Sequence, residues 1–419
     1  MAKPIFCIVG AGMAGGRAAK SLRDRGFDGR VILIGTETEP PYERPPLSKA
    51  YLNGELARSK LLLQSPATYS EEAIEWQPGT TASSLDLRQR TLQLVDGEPV
   101  AFDRLLLATG SRPRTLNVPG AELAGVLTYR TLADADRLRE ALDSGPQVVV
   151  IGGGFLGTEL AVAAVRRGCR VTIVEVGNSI LAPLGSLADG YCTDLHRQAG
   201  VELVLGETVA RILGDQRVEG VLLRGGRSLP CDLALICIGA RPNSELAQTA
   251  GLETDPGVVV GELSQTRHEG VFAAGDAASW WSPRWQRRLR VEHYDNAHQQ
   301  GIFAAGAMLG ESTPYDPIPY FWTEQYGTTV QQVGVTGGTD EAVLRGDPKE
   351  GKFTVFYMEA GWLSGCVAVD RFPDLAAARR LIGARVPVNA ELLTDLALDL
   401  RQWSQEAVEA VDAVDEAED

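Results

Sequence analysis

Histidine and methionine are scarce in this chain of 419 residues, with four of each, and no cysteine motif is present. Cys7, Cys169, Cys192, Cys231, Cys237 and Cys366 are scattered, with no Cys-x-x-Cys and no metal-ligand spacing with histidine. That argues against a disulfide framework and against a zinc site, so no metal is expected. Most of these cysteines lie in apolar runs such as LPCDLALICIG, where a buried, inert thiol is the expectation. No apolar run approaches the roughly 18 residues that span a bilayer, so a membrane is not an expected partner. The first residues, MAKPIFCIVGAG, enter a strand-like segment at once, which leaves no stretch for a targeting peptide and points to the cytoplasm. Basic charge is lacking too. The formal net charge is −15, which argues against nucleic acid as a partner. From Glu406 to Asp419 there are seven acids and no base, so this tail reads as a solvated, frayed end rather than a continued helix.

What is present is ordinary globular composition, 44% hydrophobic and 23% charged, in a length that suggests two or three domains. KPIFCIVG, AGGRAAKSLRDRG and RVILIGTE read as strand, helix and strand, and QVVVIGGG, FLGTELAVAAVRRG and CRVTIVEVG repeat the unit about 140 residues later. Such alternation predicts parallel sheets covered by helices. AFDRLLLATGSRP and CDLALICIGARPN form a second matched pair, each a strand ending in a glycine turn and Arg-Pro, and GVFAAGDAAS adds a strand ending in Gly-Asp. From about Pro319, the segments TTVQQVGVTGG, KFTVFYMEAGWLSGCVAVD and LAAARRLIGA predict a smaller domain with an antiparallel sheet. The fold class is therefore α/β, with two Rossmann-like dinucleotide-binding domains and a small α+β C-terminal domain. Expected boundaries are 1–114 and 243–318 for the first dinucleotide domain, 115–242 for the second, 319–404 for the C-terminal domain and 405–419 for the tail.

Each glycine of the two turns has a separate task. Gly10 permits the tight strand-to-helix turn, Gly12 lets a pyrophosphate approach the backbone, and Gly15 lets helix pack on sheet. Glu37, 22 residues after Gly15, is placed to accept hydrogen bonds from a ribose diol. Gly152, Gly154 and Gly157 repeat the pattern, closed by Glu175. An acid there favours a free 2′-hydroxyl and repels a 2′-phosphate, and no arginine follows in VGNS, so NADH is favoured over NADPH. Two such sites in one chain imply FAD in one and NAD in the other. The proline-rich loop PPYERPPLSKAYL, with Arg44 and Lys49, follows the first site.

PYERPPLSK, LLLATGSRPR, VIGGGFLGTEL, VFAAGDAA, RVEHYDNA and PYFWTEQYG together resemble the FAD-dependent, NADH-linked ferredoxin reductases of bacterial oxygenase systems. That family shares the glutathione-reductase-like plan and includes putidaredoxin reductase and the reductase components of aromatic-ring dioxygenases. Apoptosis-inducing factor is a more distant relative. The resemblance runs from about Lys3 to about Leu400 and implies that Gly10, Gly12, Gly15 and Glu37 hold the adenosine diphosphate part of FAD. It also implies FAD contacts from Arg44, Lys49, Ala82 (by its backbone), Ala108, Thr109, Gly110, Arg130 and Asp276, with Trp322 against the flavin region. Glu292 and His293 of RVEHYDNA and Gly239 of CIGARPN are implied as cofactor contacts as well. From the residues alone, Trp322 reads equally well as a core residue.

Glu159, two residues past the last glycine of the second turn, is placed in the first turn of its helix and, by resemblance, opposite Lys49 beside the flavin. Lys49 and Glu159 are the candidate catalytic pair. Three readings stand: the pair neutralises itself and fixes geometry, Lys49 stabilises negative charge on the flavin, or Glu159 favours the helix start through the macrodipole. The cysteines that related flavoenzymes place beside the flavin have no counterpart, so redox chemistry is expected to stop at the flavin. The family implies an iron–sulfur ferredoxin (or rubredoxin) as acceptor. Arg284, Arg287, Arg288 and Arg290 in SPRWQRRLR read either as a basic docking patch or as a solvated hairpin. Two other functions fit the same motifs: an NADH-responsive, redox-sensing binding protein of the apoptosis-inducing-factor type, and an NADH oxidase.

Overall fold

The computed structural model describes residues 3–336 and 341–418, with residues 412–418 described as backbone alone. Gly337 and Gly338 of the expected VGVTGG segment, and Asp419 of the tail, lie outside the described residues. Contacts divide the chain into two units. One comprises Met1–Pro46, Leu56–Arg112 and Ala240–Pro317, and the other Leu47–Glu55, Pro113–Gly239 and Ile318–Asp419. The proline-rich loop is thus cut within PPLS, its Lys49 half belonging to the second unit, and the C-terminal segment is not separated from residues 113–239.

The first unit is built on a parallel sheet of five strands in the order Val271–Ala273, Arg104–Leu107, Ile5–Val9, Arg30–Ile34, Ile74–Gln77. Its central strands are apolar on both faces: Cys7, Ile8, Leu105 and Leu106 have no exposed surface. A sheet covered on both sides needs such near-continuous runs. One cover is the helix Met13–Asp24, which crosses the helix Tyr294–Leu309 where Gly301 meets Ala14. A Cβ on Gly301 would stand 2.3 Å from the Ala14 carbonyl oxygen, so the crossing distance depends on that glycine.

The second unit repeats the plan with strands Val126–Thr128, Leu233–Ile236, Gln147–Ile151, Arg170–Glu175 and Glu202–Leu205, again parallel. In both sheets the strand entering the glycine turn is central and flanked by the same two kinds of neighbour. The units differ at one edge, where Val126–Thr128 precedes its turn in sequence and Val271–Ala273 follows it. Each unit also carries a three-stranded antiparallel meander, residues 82–101 in the first and 209–230 in the second.

Residues from 320 onward form the expected antiparallel sheet, ordered Tyr320–Gln325, Thr328–Gly334, Trp362–Val369, Lys352–Glu359, Glu341–Asp347. The buried Arg345 guanidinium donates to the carbonyls of Leu393, Asp395 and Leu398, which fastens the C-terminal segment to this sheet. The tail differs from expectation: Leu400–Glu418 is one helix. Leu400, Trp403, Ala407 and Val411 recur at helical spacing and are all at least partly covered, so one apolar stripe outweighs the acidic composition.

Gly301→Ala is expected to destabilise the protein by about 1–3 kcal/mol, because the two helices must separate to admit the methyl group. Chemical denaturation checks this, and an unchanged midpoint and slope would contradict the close crossing.

Candidate functional site

The two glycine turns meet the same kinds of backbone obstacle at matching positions. Gly10 has φ +113° and Gly152 φ +107°, and a Cβ on either would fall 2.0 or 2.3 Å from the carbonyl oxygen of Ala108 or Cys237. Gly15 and Gly157 pack on the carbonyls of Gly10 and Gly152, where a Cβ would stand at 1.8 and 2.1 Å. Gly12 and Gly154, in contrast, face space with nothing within 4 Å of a built Cβ. Both are N-caps without a side-chain acceptor, and neither helix has an acid in its first turn. The first N–H groups of a helix have no intrahelical acceptor, and the positive end of the helix dipole adds to them. Each turn therefore combines an uncapped helix start with room beside its second glycine, which fits a pyrophosphate.

The acids after the turns are used differently. Glu175 ends its strand, and its carboxylate accepts from the backbone N–H of Gly153 at 2.6 Å and of Gly177 at 2.8 Å. Glu37 lies three residues beyond its strand, which ends at Ile34. It accepts from the Tyr42 hydroxyl at 2.6 Å and the Arg44 guanidinium at 2.7 Å. Elsewhere in the first unit, buried Asp276 accepts from the Ser111 hydroxyl at 2.7 Å. Thr109 and Gly110 are held by reciprocal bonds with Asn243. Ala82 opens the strand Ala82–Asp86, Glu292 pairs with Arg290 at 2.5 Å, and His293 is the N-cap of the helix Tyr294–Leu309.

In the second unit Lys49 and Glu159 meet, Nζ to Oε1 at 2.7 Å, with side chains 16% and 8% exposed. Glu159 is not in the first helical turn as expected. The helix begins at Phe155, so Glu159 is its fifth residue, too far in for the macrodipole reading. The Leu47–Glu55 loop that carries Lys49 is fastened along its length. Tyr129 donates to the Leu47 carbonyl, Tyr51 to Asp136, and Arg167 to the Leu52 carbonyl.

Sequence reasoning missed most of the groups that surround Glu159. The Ser48 hydroxyl donates to Glu159 Oε2 at 2.5 Å, and the Thr323 hydroxyl to Oε1 at 2.7 Å. Behind Thr323, Gln325 Nε2 reaches Thr323 Oγ1 at 2.9 Å and Thr158 Oγ1 at 3.1 Å. Gln325 Oε1 faces His196 Nε2 at 2.9 Å, and the Tyr326 hydroxyl faces His196 Nδ1 at 3.3 Å. Thr158, His196, Thr323 and Gln325 have no exposed surface. The readable signal was the alternation of Phe321, Thr323 and Gln325 on one strand face, which the Phe155–Phe321 ring contact turns toward the Glu159 helix. Trp322 lies on the opposite face, half-buried and stacked with Tyr320, so it is not a core residue. Arg130 precedes the capping box of the helix Leu132–Leu142, and Gly239, at φ +90°, accepts from the Arg114 N–H.

Two expectations about surface and thiols resolve clearly. SPRWQRRLR is part of a hairpin, Ala278–Ser282 with Arg287–Leu289. It is not a patch of four free arginines. Arg284 pairs with Asp316, Arg288 donates to the carbonyls of Val260 and Ser279, and Arg290 donates to Glu292 and to the Asp276 carbonyl. All six cysteines are buried and unbridged. Burial pushes the Cys7, Cys192, Cys231 and Cys237 thiols up to about 12, which leaves them protonated and unreactive. Among the described residues no helix is long and apolar enough to cross a membrane.

Residues 5–301 match the pyridine nucleotide-disulphide oxidoreductase family and residues 320–404 the reductase C-terminal family. The chain belongs to the pyridine nucleotide-disulphide oxidoreductases, in the branch that carries this C-terminal domain. It is 39% identical to the ferredoxin–NAD(+) reductase component of the biphenyl dioxygenase system of Paraburkholderia xenovorans, over 94% of this chain and 97% of that protein. Putidaredoxin reductase of Pseudomonas putida is 34% identical over 94% of this chain and 95% of its own. Among solved structures, the ferredoxin reductase for the CYP199A2 system of Rhodopseudomonas palustris superposes with a TM-score of 0.93 at 37% identity, covering 96% of this chain and all of that one. The reductase in a covalent putidaredoxin reductase–putidaredoxin complex gives 0.93 at 34% identity, covering 99% of this chain and all of that one.

Burial lowers the His196 imidazole from the ordinary 6.5 to about 4, against the smaller opposing effect of its bond to Gln325. The unfolded chain takes up this proton as pH falls below 6.5, whereas the folded chain refuses it until about 4. The stabilisation is therefore complete above pH 6.5 and lost as pH falls toward 4. Its size is on the order of 3 kcal/mol. Denaturation at stepped pH should show a correspondingly smaller loss over this window in His196→Asn than in the parent, and equal losses would refute the assignment.

Proposed function

We propose that the protein is a flavoprotein oxidoreductase that passes electrons from NADH through FAD to a [2Fe-2S] ferredoxin (or rubredoxin) that feeds an oxygenase. The observation that carries this reading is the duplicated glycine turn, each copy with an uncapped helix start and an open second glycine, in a chain whose thiols are all buried. Relatives named as ferredoxin–NAD(+) reductase components match this chain over nearly its whole length, which supports an iron–sulfur protein as acceptor. The putidaredoxin complex among the similar structures supports the same class of partner. A cytoplasmic setting fits the supply of NADH and the six unbridged cysteines.

FAD bound at the first turn supplies the conversion of a two-electron hydride into single electrons. Gly12 would present open backbone to its pyrophosphate at a turn shaped by Gly10 and Gly15, Glu37 would accept from the ribose, and Arg44, Ala82, Ala108, Thr109, Gly110, Asp276, Glu292 and His293 are its other proposed contacts in that unit. Lys49, Arg130 and Trp322 are further proposed contacts. NADH takes the second turn, with Gly152, Gly154 and Gly157 at its pyrophosphate, Gly239 nearby and Glu175 selecting the free 2′-hydroxyl. Lys49, held by Glu159, offers a positioned cation for the negative charge that hydride delivery generates.

The purified protein should be yellow, carry one non-covalent FAD, and be reduced by NADH far more efficiently than by NADPH in stopped-flow absorbance. Glu175→Gln retains an acceptor for the glycine turn and removes the charge, so it should narrow the preference by roughly an order of magnitude. A colourless folded protein that FAD does not reconstitute sinks the flavin assignment, and equal efficiency for the two nucleotides sinks that of Glu175.

Lys49→Ala removes the cation and leaves a buried carboxylate without its counter-charge. Flavin reduction should slow by roughly a hundredfold, while NADH affinity changes by less than about fivefold. Reduction at the parental rate would rule out a catalytic role for Lys49.

A further inference from the structure

Hydrogen-bonding capacity fixes the direction of every bond around Glu159. A carboxylate only accepts, so the single hydroxyl proton of Thr323 is committed to Glu159 Oε1 at 2.7 Å. Thr323 Oγ1 must then accept from Gln325, which places the amide nitrogen of Gln325, and not its oxygen, on that side at 2.9 Å. Thr158 gives the same answer independently. Its one hydroxyl proton is shared between the carbonyls of Phe155 at 2.9 Å and Gly154 at 3.1 Å, so toward Gln325 the hydroxyl oxygen accepts, at 3.1 Å. Gln325 Oε1 is therefore the atom facing His196, and His196 Nε2 must carry a proton to bond it at 2.9 Å. The remaining nitrogen, Nδ1, accepts from the Tyr326 hydroxyl at 3.3 Å. Tyr326 is brought there by a turn in which it has φ +53° and Gly327 φ +90°, and its ring meets the imidazole edge-on at 4.9 Å. A positive φ at tyrosine is costly, and it persists here with the side chain engaged.

We infer that Tyr326, His196, Gln325 and Thr323 are positioning residues, a chain of neutral donors all directed at Glu159 that holds its carboxylate, and through it the Lys49 ammonium, in a single arrangement. Three of these, His196, Gln325 and Thr323, have no exposed surface and would otherwise be a poor use of core positions, since apolar residues of similar volume cost less to bury. Here each is satisfied in one sense only. Lys49 is thus placed from two sides, by its own loop and by Glu159, which takes Ser48 on one oxygen and both Lys49 and Thr323 on the other.

The structural part of this inference stands alone, and its effect on hydride transfer rests on the proposed function. Two variants separate the donor from the shape: Thr323→Val deletes the hydroxyl, and Thr323→Ser keeps it. In the FAD-loaded protein, nitrogen-15 NMR of the Lys49 ammonium should show proton exchange with water accelerated roughly tenfold in Thr323→Val and restored in Thr323→Ser. Stopped-flow reduction by NADH should slow by roughly tenfold in the first and recover in the second, with the Kd for NADH within about twofold throughout. In the parent protein, the His196 nitrogen shifts should report a neutral ring protonated at Nε2, a measurement that needs no variant to fold. A proton on Nδ1, or unchanged Lys49 exchange together with an unchanged reduction rate in Thr323→Val, would overturn the inference. A parent protein that NADH fails to reduce would overturn the proposed function, while the Lys49 and His196 signals would still decide the donor chain.

Discussion

A carboxylate with 8% of its side chain exposed is the constraint around which the second unit is arranged. An ion of that kind is tolerated only when paired and when its remaining lone pairs are bonded. Glu159 meets both conditions by drawing donors to its helix from two segments distant in sequence: the Leu47–Glu55 loop and the strand Tyr320–Gln325. Breaking such a pair by removing one partner typically costs about 3–5 kcal/mol, because the surviving charge stays buried. The loop, the helix and the strand are therefore coupled, and none can shift without leaving a charge or a hydroxyl unpartnered. The fastening of the loop at Leu47, Tyr51 and Leu52 reinforces the same arrangement from the backbone side.

The glycine turns were legible in sequence because their strand–turn–helix pattern is local. A Cβ at Gly10 or Gly152 collides with a carbonyl of the neighbouring strand, and one at Gly15 or Gly157 collides with the turn itself. The contacts that exclude a side chain at Gly10 and Gly152 are long-range, to Ala108 and Cys237, but the glycine spacing is written locally, and the strands on either side are apolar enough to announce a covered parallel sheet. The matched segments ATGSRP and CIGARP were legible for a similar reason, since Gly110 and Gly239 both adopt positive φ after a sheet strand. The following acids were legible as residues but not as interactions. Glu175 closes back on its own glycine turn, whereas Glu37, beyond the end of its strand, is taken by Tyr42 and Arg44.

What escaped the sequence was set by tertiary pairing. Glu159 was placed one turn too early because the helix start at Phe155 depends on the turn geometry rather than on a capping side chain. His196 lies on a helix whose composition is otherwise unremarkable, and only the approach of Gln325 reveals it as part of the site. Charge composition misled at the tail and left the arginine segment open. The acidic tail is helical because one stripe of Trp403, Ala407 and Val411 finds cover. Three of the four arginines of SPRWQRRLR are bonded to groups of their own unit, so charge counting overstated what that hairpin offers a partner.

The composition of the donor chain separates two tasks that polar networks often combine. A chain of hydroxyls and imidazoles alone conducts protons, because each member can accept one as it donates another. Gln325 interrupts that, since an amide donates without ready re-protonation at nitrogen, and His196, neutral down to about pH 4, holds a single tautomer. Position is thus transmitted from Tyr326 to Glu159 while protons are not. For a lysine whose proposed task is to present constant positive charge during hydride delivery, that separation matters more than the strength of any one bond. The thiols stay outside this chemistry, because burial holds them protonated and leaves none available as a nucleophile.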